Sequence, residues 1–511
     1  MQSQKLLSPS NKHWGCANMA TFTDEQMQAI RIAKADISLK VIAPPGSGKT
    51  TVLNGIANAK PKSQRGLYVS FAADNKNEAK SKLPSHVQAK TGHGLAWSVG
   101  EQYQNRLNER LTSRIIVNHL KINPFYISCS DGSLPIEFTE SALANMALDA
   151  VTCFCQTADQ ALMPKHIPAS NISDASALER LNDIVLFYAQ KLWQSLSDPQ
   201  GSLPCTHDVY LKVWALERPK IQTDYILLDE GQDTNDVLLD VILRQKHAQL
   251  ILVGDPHQSI FQWRGAVNAL ARVKLPKQVQ LTQSFRFGQP IADIANAVLT
   301  EYKKIPSFIK GLTSIQSQVE FIEDPDAIIS RTNAALMKEL LTQNRLGKRV
   351  GIAGGTAQIQ MMLDGIKDLK EGRRSTVQDL SVFKDYDELM AYTNTNSGRD
   401  LKSVLNQINK YGISTLKQAV QNTVKVDTHN KSAVDIVLTT AHRSKGLEWP
   451  KVKLANDFKH PHSENPVGQP FDESDINLLY VAVSRAKIAL DITDCEAAYH
   501  LQEKPLPSPR P

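Results

Sequence analysis

A glycine-rich loop between a short apolar run and an amphipathic segment is the feature that most constrains the fold of this chain. The loop occupies residues 43–50, with the sequence Ala-Pro-Pro-Gly-Ser-Gly-Lys-Thr, and follows the apolar pair Val41 and Ile42. Residues 51–57 have the apolar spacing of a helix that packs on a sheet. This order of strand, loop and helix is the context in which a phosphate-binding loop occurs.

The residue types of the loop suit a bound triphosphate. Backbone N–H groups converge on a β-phosphate only where bulky side chains are absent, and the N-terminus of the following helix adds its positive end. Lys49 is predicted to reach the β- and γ-phosphates, and the Thr50 hydroxyl to bind Mg²⁺. Ala43 stands where the first glycine is usual, and glycine and proline also cluster in ordinary turns. The predicted nucleotide contacts in the loop are Pro45, Gly46, Ser47, Gly48, Lys49, Thr50 and Thr51.

A pair of acids follows a second apolar run. Residues 225–228 read as a buried strand, and Asp229 and Glu230 come directly after it. The strands of a parallel sheet carry such side chains to its carboxyl edge, where ligands bind. Alone, the two acids would indicate a solvent-exposed cap. Together with the loop they predict a nucleotide triphosphatase in which Asp229 holds Mg²⁺ and Glu230 orients and deprotonates the attacking water.

Composition sets the class of protein. With 511 residues, 41% of them hydrophobic, the chain can bury several cores, which suggests about three or four domains. The net charge of +6 is compatible with nucleic-acid binding and does not establish it. The six cysteines lack paired metal-ligand spacing, no apolar run approaches the roughly 20 residues of a membrane span, and no secretory segment begins the chain. We therefore expect a soluble intracellular protein without a membrane partner.

Strand-like runs fall into two groups, before and after about residue 280. Helical patterns separate the runs, which predicts an α/β fold with two parallel-sheet domains in tandem and helical insertions. The runs are residues 67–71, 225–228, 250–253, 328–330, 350–353, 434–440 and 451–454. The predicted domains are 21–96 with 216–279, a helical insertion at 97–215, 280–361 with 431–497, and a short charged helical insertion at 362–430, flanked by a disordered N-terminus (1–20) and a flexible tail (498–511).

The order of these motifs resembles UvrD/Rep-like superfamily 1A DNA helicases over about residues 22–493. The matching elements are Gln26, the phosphate-binding loop, Phe71, His93, Asp229 and Glu230, and residues 254–258, 284–286, 442–448 and 480–487. Residues 253–270 and 281–288 look most like the F-box DNA helicase branch. The resemblance implies two RecA-like domains, with insertions like domain 1B and a reduced domain 2B. The residues before Thr23 are too few for an F-box, so we expect no ubiquitin-ligase partnership and a bacterial or phage origin.

The resemblance also implies roles in the ATP site. Gln26 would contact the adenine edge, although it also suits the first turn of a helix that Thr23 caps. Phe285 would stack on the base. Gln258 would sense the γ-phosphate. The remaining implied residues are Glu448 as a nucleotide contact, and Arg286 and Arg485 as arginine fingers from the second domain, with an exposed helix position as the alternative for Arg485.

The implied DNA contacts combine aromatic and polar side chains. Trp263, beside Arg264, and Phe71 would stack on bases, with a core position as the alternative for Phe71. His442 is equally typical of a core histidine. The implied backbone contacts are Thr91, His93, His442, Ser444 and Lys445.

The function that the resemblance implies is an ATP-dependent 3′ to 5′ DNA helicase or single-stranded DNA translocase that uses ATP and Mg²⁺. Its task would be DNA repair, recombination or protein displacement, on single-stranded and tailed duplex DNA. It would act as a monomer in the cytoplasm, or in the nucleus if eukaryotic, with a protein partner at the helical insertions. The alternatives are a DNA-sensing regulatory ATPase of a larger complex, such as an anti-phage system, and a DNA-binding protein without catalysis. Intact Lys49, Asp229, Glu230 and Arg485 argue against the last.

Overall fold

The computed structural model describes residues 22–128, 135–170, 172–306, 309–377, 380, 383, 385–393, 399–426, 433–458 and 473–502. The predicted disordered N-terminus at 1–20 and all but the first five residues of the predicted tail at 498–511 lie outside the described residues. The domain boundaries given above stay predictions.

The strands of the described residues are β1 (Leu39–Ile42), β2 (Gly66–Ser70), β3 (Val87–Thr91), β4 (Phe125–Ile127), β5 (Ile136–Phe138), β6 (Tyr225–Leu228), β7 (Gln249–Gly254), β8 (Lys277–Gln280), β9 (Gln318–Val319), β10 (Ala327–Ser330), β11 (Val350–Ile352), β12 (Val424–Lys425), β13 (Ile436–Thr440), β14 (Trp449–Leu454) and β15 (Ala486–Asp491). The helices are α1 (Asp24–Lys34), α2 (Lys49–Ala59), α3 (Ala73–Lys82), α4 (Gly92–Leu95), α5 (Trp97–Gly100), α6 (Ser113–Leu120), α7 (Glu140–Gln156), α8 (Ala175–Ser197), α9 (His207–Leu216), α10 (Asp236–Arg244), α11 (Ala269–Arg272), α12 (Gln289–Lys303), α13 (Asn333–Arg345), α14 (Ala357–Lys370), α15 (Tyr386–Tyr392), α16 (Arg399–Tyr411), α17 (Ile413–Gln421), α18 (Ala441–Ser444), α19 (Glu473–Val483) and α20 (Glu496–Tyr499).

Two parallel sheets organise these elements. The first has the strand order β3-β2-β6-β7-β1-β8 and the second β12-β11-β13-β10-β14-β15-β9. Their central strands are apolar because helices cover both faces; β6, for example, is buried along its whole length. The predicted fold class, two tandem parallel-sheet α/β units, is confirmed.

A helical segment with its own core connects β3 to β6. Helices α7 and α8 pack along each other and bury Leu143, Phe154, Leu181 and Val185 in one cluster. The short antiparallel pair β4 and β5 joins this segment. The apolar spacing of α7 and α8 therefore produces a core separate from that of the first sheet.

A second group of helices, α14 to α17, lies between β11 and β13. Leu363 of α14 and Leu405 of α16 share one hydrophobic cluster with Leu336 of α13 and Leu438 of β13. Strand β12 pairs in parallel with β11. These helices thus share the hydrophobic cluster that α13 forms with one face of the second sheet. Among the described residues, no helix combines the length and hydrophobicity that a bilayer crossing requires.

Candidate active site

The phosphate-binding loop connects β1 to α2. Gly46 and Gly48 have φ angles of +75° and +79°, in the left-handed region that favours glycine. A Cβ on Gly46 would lie 2.5 Å from the Cβ of Arg286. Lys49 begins α2, and its Nζ lies 3.4 Å from the Ala43 carbonyl oxygen and 3.6 Å from Glu230 Oε1. The lysine ammonium therefore lies between the loop and the acids that follow β6.

The two acids occupy different environments. Tyr68 donates its hydroxyl to Asp229 Oδ2 at 2.6 Å, and the Glu230 backbone N–H donates to Asp229 Oδ1 at 2.9 Å. Burial and the Glu230 charge raise the pKa of Asp229. Burial opposes ionisation of Glu230, but Lys49, Lys445 and the Gln232 amide outweigh it and lower the Glu230 pKa. Glu230 is thus held as a carboxylate, the form that a general base requires.

Both sheets contribute to one cavity of about 560 Å³ above these acids, named the nucleotide cavity after its predicted ligand. The loop and the acids come from the first sheet, and Arg286, Glu448 and Arg485 from segments attached to the second. The predicted nucleotide-site residues that line it are Pro45, Gly46, Ser47, Gly48, Lys49, Thr50, Thr51, Asp229, Glu230, Gln258, Phe285, Arg286, Glu448 and Arg485. Phe285 is 43% exposed, so its ring is open to a base.

Two arginines converge in the cavity. Arg286 donates to Glu448 Oε2 at 2.8 Å and to the Ser484 carbonyl oxygen at 3.0 Å. Arg485 follows α19, is 1% exposed, and places its guanidinium 3.3 Å from Gln258 Oε1. The exposed helix position considered for Arg485 is therefore wrong. Burial and the Arg286 charge lower the pKa of Arg485 to about 9, so Arg485 stays cationic at neutral pH. An anion between the two guanidinium groups would relieve their repulsion.

Gln26 lies beside the loop. Its Oε1 accepts the Thr23 N–H at 3.0 Å while the Thr23 hydroxyl accepts the Gln26 N–H at 3.2 Å, which forms a capping box. Gln26 thus lies in the first turn of a helix that Thr23 caps, the alternative that the sequence left open. The Gln26 amide also donates to the Ser47 carbonyl oxygen at 3.0 Å. Gln26 is 3% exposed, so the structure places its amide at the loop without opening it to the cavity.

Buried polar contacts join the two sheets at the wall of the cavity. Asp255, after β7, accepts hydrogen bonds from Gln258 Nε2 at 2.8 Å and from the Tyr480 hydroxyl of α19 at 3.1 Å. Lys445 donates to both Asp233 oxygens, at 2.7 and 2.5 Å, and to the Gln258 carbonyl oxygen at 2.6 Å. Gln258 therefore contacts the second unit through both Arg485 and Lys445.

A second cavity, of about 460 Å³, opens beside this junction and is lined by Phe261, Trp263 and His442. Trp263 is 68% exposed; the Arg264 guanidinium lies 5.1 Å from its ring centre and the His442 ring 6.5 Å. Burial lowers the pKa of His442, which lines this cavity and is partly exposed. His442 is therefore not a core residue, and that alternative is wrong.

Phe71 lies at the boundary of the two cavities. It is 38% exposed, so the core alternative is wrong, and its ring centre is 6.1 Å from that of Phe261, which lines both cavities. Phe71 itself lines the nucleotide cavity, as does Lys445. An aromatic contact therefore connects the two cavities.

The side chains of the remaining predicted DNA contacts are engaged in hydrogen bonds within the protein. Thr91 accepts the Gly94 N–H at 3.0 Å as the cap of α4, and His93 Nε2 lies 2.9 Å from Asp208 Oδ1. Ser444 is fully buried and donates its hydroxyl to the Ala441 carbonyl oxygen at 2.8 Å. The Ser444 side chain thus bonds within α18 and lines neither cavity, whereas His93 keeps 40% of its side chain exposed.

Comparison with known proteins bears directly on this geometry. The UvrD/REP helicase N-terminal domain matches residues 22–274, and the UvrD-like helicase C-terminal domain matches residues 209–497. The chain belongs to the UvrD-like helicase family. These matches cover every element that builds the two cavities.

Relatives of this UvrD-like helicase include eukaryotic and bacterial proteins. The chain is 30% identical to F-box DNA helicase protein 1 of Schizosaccharomyces pombe over 89% of its own length and 55% of that protein. It is 28% identical to F-box DNA helicase 1 of Gallus gallus over 92% of its length and 48% of that protein. It is 40% identical to the ATP-dependent DNA helicase PcrA of Leuconostoc citreum over 41% of its length and 26% of that protein. The chain spans about half the length of the first two, and the predicted likeness to the F-box branch of UvrD-like helicases is confirmed.

Three side chains of the UvrD-like site were not singled out from the sequence. Tyr68 contacts Asp229, Asp233 pairs with Lys445, and Lys487 pairs with Glu448 at 2.9 Å. Asp233 lies four residues after Asp229 and Lys487 two after Arg485, so proximity to a motif was an available signal for these two. Tyr68 lies in an apolar run and is recognisable only once β2 and β6 are paired.

Proposed function

We propose that this UvrD-like helicase is an ATP-dependent DNA translocase and helicase that moves 3′ to 5′ on single-stranded DNA. The observation that carries the proposal is the single cavity in which Lys49, Asp229 and Glu230 of the first unit meet Arg286 and Arg485 of the second. A triphosphate placed there would be contacted by both units. The direction of movement rests on the family resemblance.

The chemistry of the proposed hydrolysis follows from the charges. Lys49, Arg286 and Arg485 would neutralise charge that develops on the γ-phosphoryl group. Glu230, ionised in this environment, would accept the proton of the attacking water. The buried Asp229 carboxylate and the Thr50 hydroxyl line the cavity and supply the oxygen ligands that Mg²⁺ prefers. When bound, Mg²⁺ would neutralise phosphate charge; Asp229 and Thr50 would hold it.

Coupling to DNA would use the contacts between the units. Gln258 meets Arg485 and Lys445, so loss of the γ-phosphate would alter the same contacts that hold the cleft closed. Bases stacked on Trp263 and Phe71 would then shift relative to each other as the cleft opens.

The broader assignments belong to the same proposal. The substrates would be single-stranded and tailed duplex DNA, in repair, recombination or protein displacement, and the active form a monomer in the cytoplasm, or in the nucleus of a eukaryote. The helical insertions would supply a surface for a protein partner. These assignments rest on the resemblance to UvrD-like helicases.

The test is strand displacement from labelled duplexes that carry a 3′ or a 5′ single-stranded tail, with ATP hydrolysis recorded in the same reactions. We expect displacement of the 3′-tailed duplex alone, and none with Lys49→Ala. Displacement from the 5′ tail would contradict the direction. DNA-stimulated hydrolysis without displacement from either duplex would contradict the helicase proposal and favour a DNA-sensing ATPase.

A further inference from the structure

A groove of about 720 Å³ lies along the edge strand of the first sheet, away from the carboxyl ends of the strands that hold the nucleotide cavity. Strand β3 is the last strand on that side in the sheet order. Lys80 of α3 lines the groove on one side, and Trp214 and Ile221 line it on the other. Ala79 of α3 and Ile221 belong to the clusters on opposite faces of the sheet. The groove therefore runs along the outer edge of β3, between elements that cover the two faces of the sheet.

The edge of β3 offers backbone groups for pairing. Within the described part of the chain, β3 has a strand neighbour on one side only, β2. Gly66 donates its N–H to the His86 carbonyl oxygen at 2.9 Å, so alternation along the strand directs the backbone of Gln88 toward β2 and that of Ala89 toward the groove. All residues from 87 to 90 line the groove. An edge of this kind accepts an additional extended chain.

The floor of the groove is apolar and its rim is basic. Leu95 and Ile221, partly buried, and Trp214, 6% exposed, form the floor with Leu67. The basic side chains at the rim are Arg65, Lys80, Lys90 and Lys220. In the described residues none of these four forms an ion pair, and no carboxylate lines the groove; the neighbouring Asp224 accepts the Arg65 backbone N–H at 2.6 Å. The rim is thus complementary to an acidic ligand.

We propose that this groove binds an acidic, extended segment of a partner protein, which adds a strand to β3. Only a polypeptide carries N–H and C=O groups at the spacing of about 3.3 Å per residue that pairs with a strand. Proteins that hold single-stranded DNA combine basic side chains with open aromatic rings on which bases stack, and the Trp214 ring is buried. A second copy of this chain paired through β3 would bring two basic rims together, which charge repulsion opposes.

The experiment is fluorescence anisotropy of the full chain with a short fluorescein-labelled peptide of alternating glutamate and valine. We expect saturable binding that weakens about tenfold or more in the double variant Lys80→Glu/Lys220→Glu and falls with added salt. A peptide N-methylated at alternate residues, which cannot pair with a strand, should not bind. Lys277→Glu, an exposed position on the opposite edge strand β8, is the matched control and should bind like the wild type.

Several outcomes would overturn the proposal. These are equal binding of the N-methylated peptide, no effect of the double variant, or weakening by Lys277→Glu to the same degree. Loss of affinity for a labelled oligothymidylate in the double variant would instead assign the groove to nucleic acid, and a change in sedimentation would assign it to self-association. DNA-stimulated ATP hydrolysis should remain at the wild-type level in the double variant, which separates this result from failure of the proposed helicase function.

Discussion

At the residue scale, Trp263 gives the clearest separation between a binding and a structural role. Its ring is 68% exposed and contacts Arg264 and His442 without entering a core. A ring this exposed contributes little to the stability of the fold, because folding removes little of its apolar area from water. Stacking on a DNA base would bury it.

Trp263→Ala should therefore weaken DNA binding without destabilising the fold. Loss of about 1 to 3 kcal/mol of stacking raises the oligothymidylate concentration for half-maximal ATPase stimulation about fivefold to a hundredfold. Phe321→Ala is a matched control because Phe321 is 65% exposed at the far edge of the second sheet. An unchanged stimulation curve for Trp263→Ala would remove this ring from the DNA site.

Gln26 and Arg485 show how much of a residue's position in the structure its sequence motif predicts. For Gln26 the sequence left open a first-turn position on a helix that Thr23 caps and an adenine contact, and the structure shows that position, with the amide also bound to the loop. For Arg485 the alternatives differed in burial, which depends on how α19 packs. Neighbouring residues determine the capping box, and the adenine contact stays a prediction. Only tertiary packing determines the burial of Arg485.

At the scale of elements, the helical segment between β3 and β6 contains an unusual buried cation. Lys212 of α9 is 1% exposed, and its Nζ donates to the carbonyl oxygens of Thr157 and Asp159 at 2.7 and 2.6 Å. It also lies 4.1 Å from the centre of the Phe154 ring. Lys212 thereby ties α9 to the turn that follows α7.

This lysine predicts a pH dependence of stability. Burial lowers its pKa to about 8 from the ordinary 10.5, so between these values the unfolded chain binds more protons and the free energy of unfolding rises with pH. Relative to Lys212→Met, the wild type should gain about 2 kcal/mol between pH 7 and roughly pH 9.5 in urea unfolding. The exposed Lys191→Met in the same segment should follow the wild type. If the difference in free energy of unfolding between the wild type and Lys212→Met did not change with pH, the lowered pKa of Lys212 would be contradicted.

The second group of helices shows a different relation between pattern and packing. Helix α16 is amphipathic, and its buried residues Val404, Leu405 and Ile408 join the cluster of α13 and the second sheet. The apolar spacing predicts such a helix without indicating the surface that it covers. In the structure α16 packs against α13 and α17, and its apolar face joins the cluster that α13 forms with the second sheet.

At the scale of the whole molecule, a buried ion pair joins the two units. Lys445 and Asp233 are 10% and 4% exposed, and burial raises the Asp233 pKa to about 6 although Lys445 opposes this. A pair with little access to solvent is costly to break, because removing one partner leaves the other charge buried. We expect this ion pair to fix the position of the two units relative to each other during the proposed ATPase cycle.

Asp233→Asn should reduce DNA-stimulated ATP hydrolysis about tenfold or more, since the Lys445 ammonium loses its compensating charge at the junction. In the double variant Asp233→Asn/Lys445→Met the loss should be smaller than the sum of the two single losses, which a double-mutant cycle measures as coupling. Asp240→Asn, whose carboxylate pairs with Arg244 within α10, is the matched control. Additive effects of the two changes would show that the pair does not connect the units.

The sequence by itself determined the chemistry and the class of fold. The glycine-rich loop and the acids after β6 depend on a few adjacent residues, and the apolar runs identified most strands of both sheets, because local geometry and periodicity are properties of neighbours in the chain. Tertiary structure alone decided the contacts between distant segments: Tyr68 with Asp229, Lys445 with Asp233, Glu448 with Lys487, and the open edge of β3. These depend on strand order and on how two sheets face each other, and residues far apart in sequence carry no local signal of that arrangement.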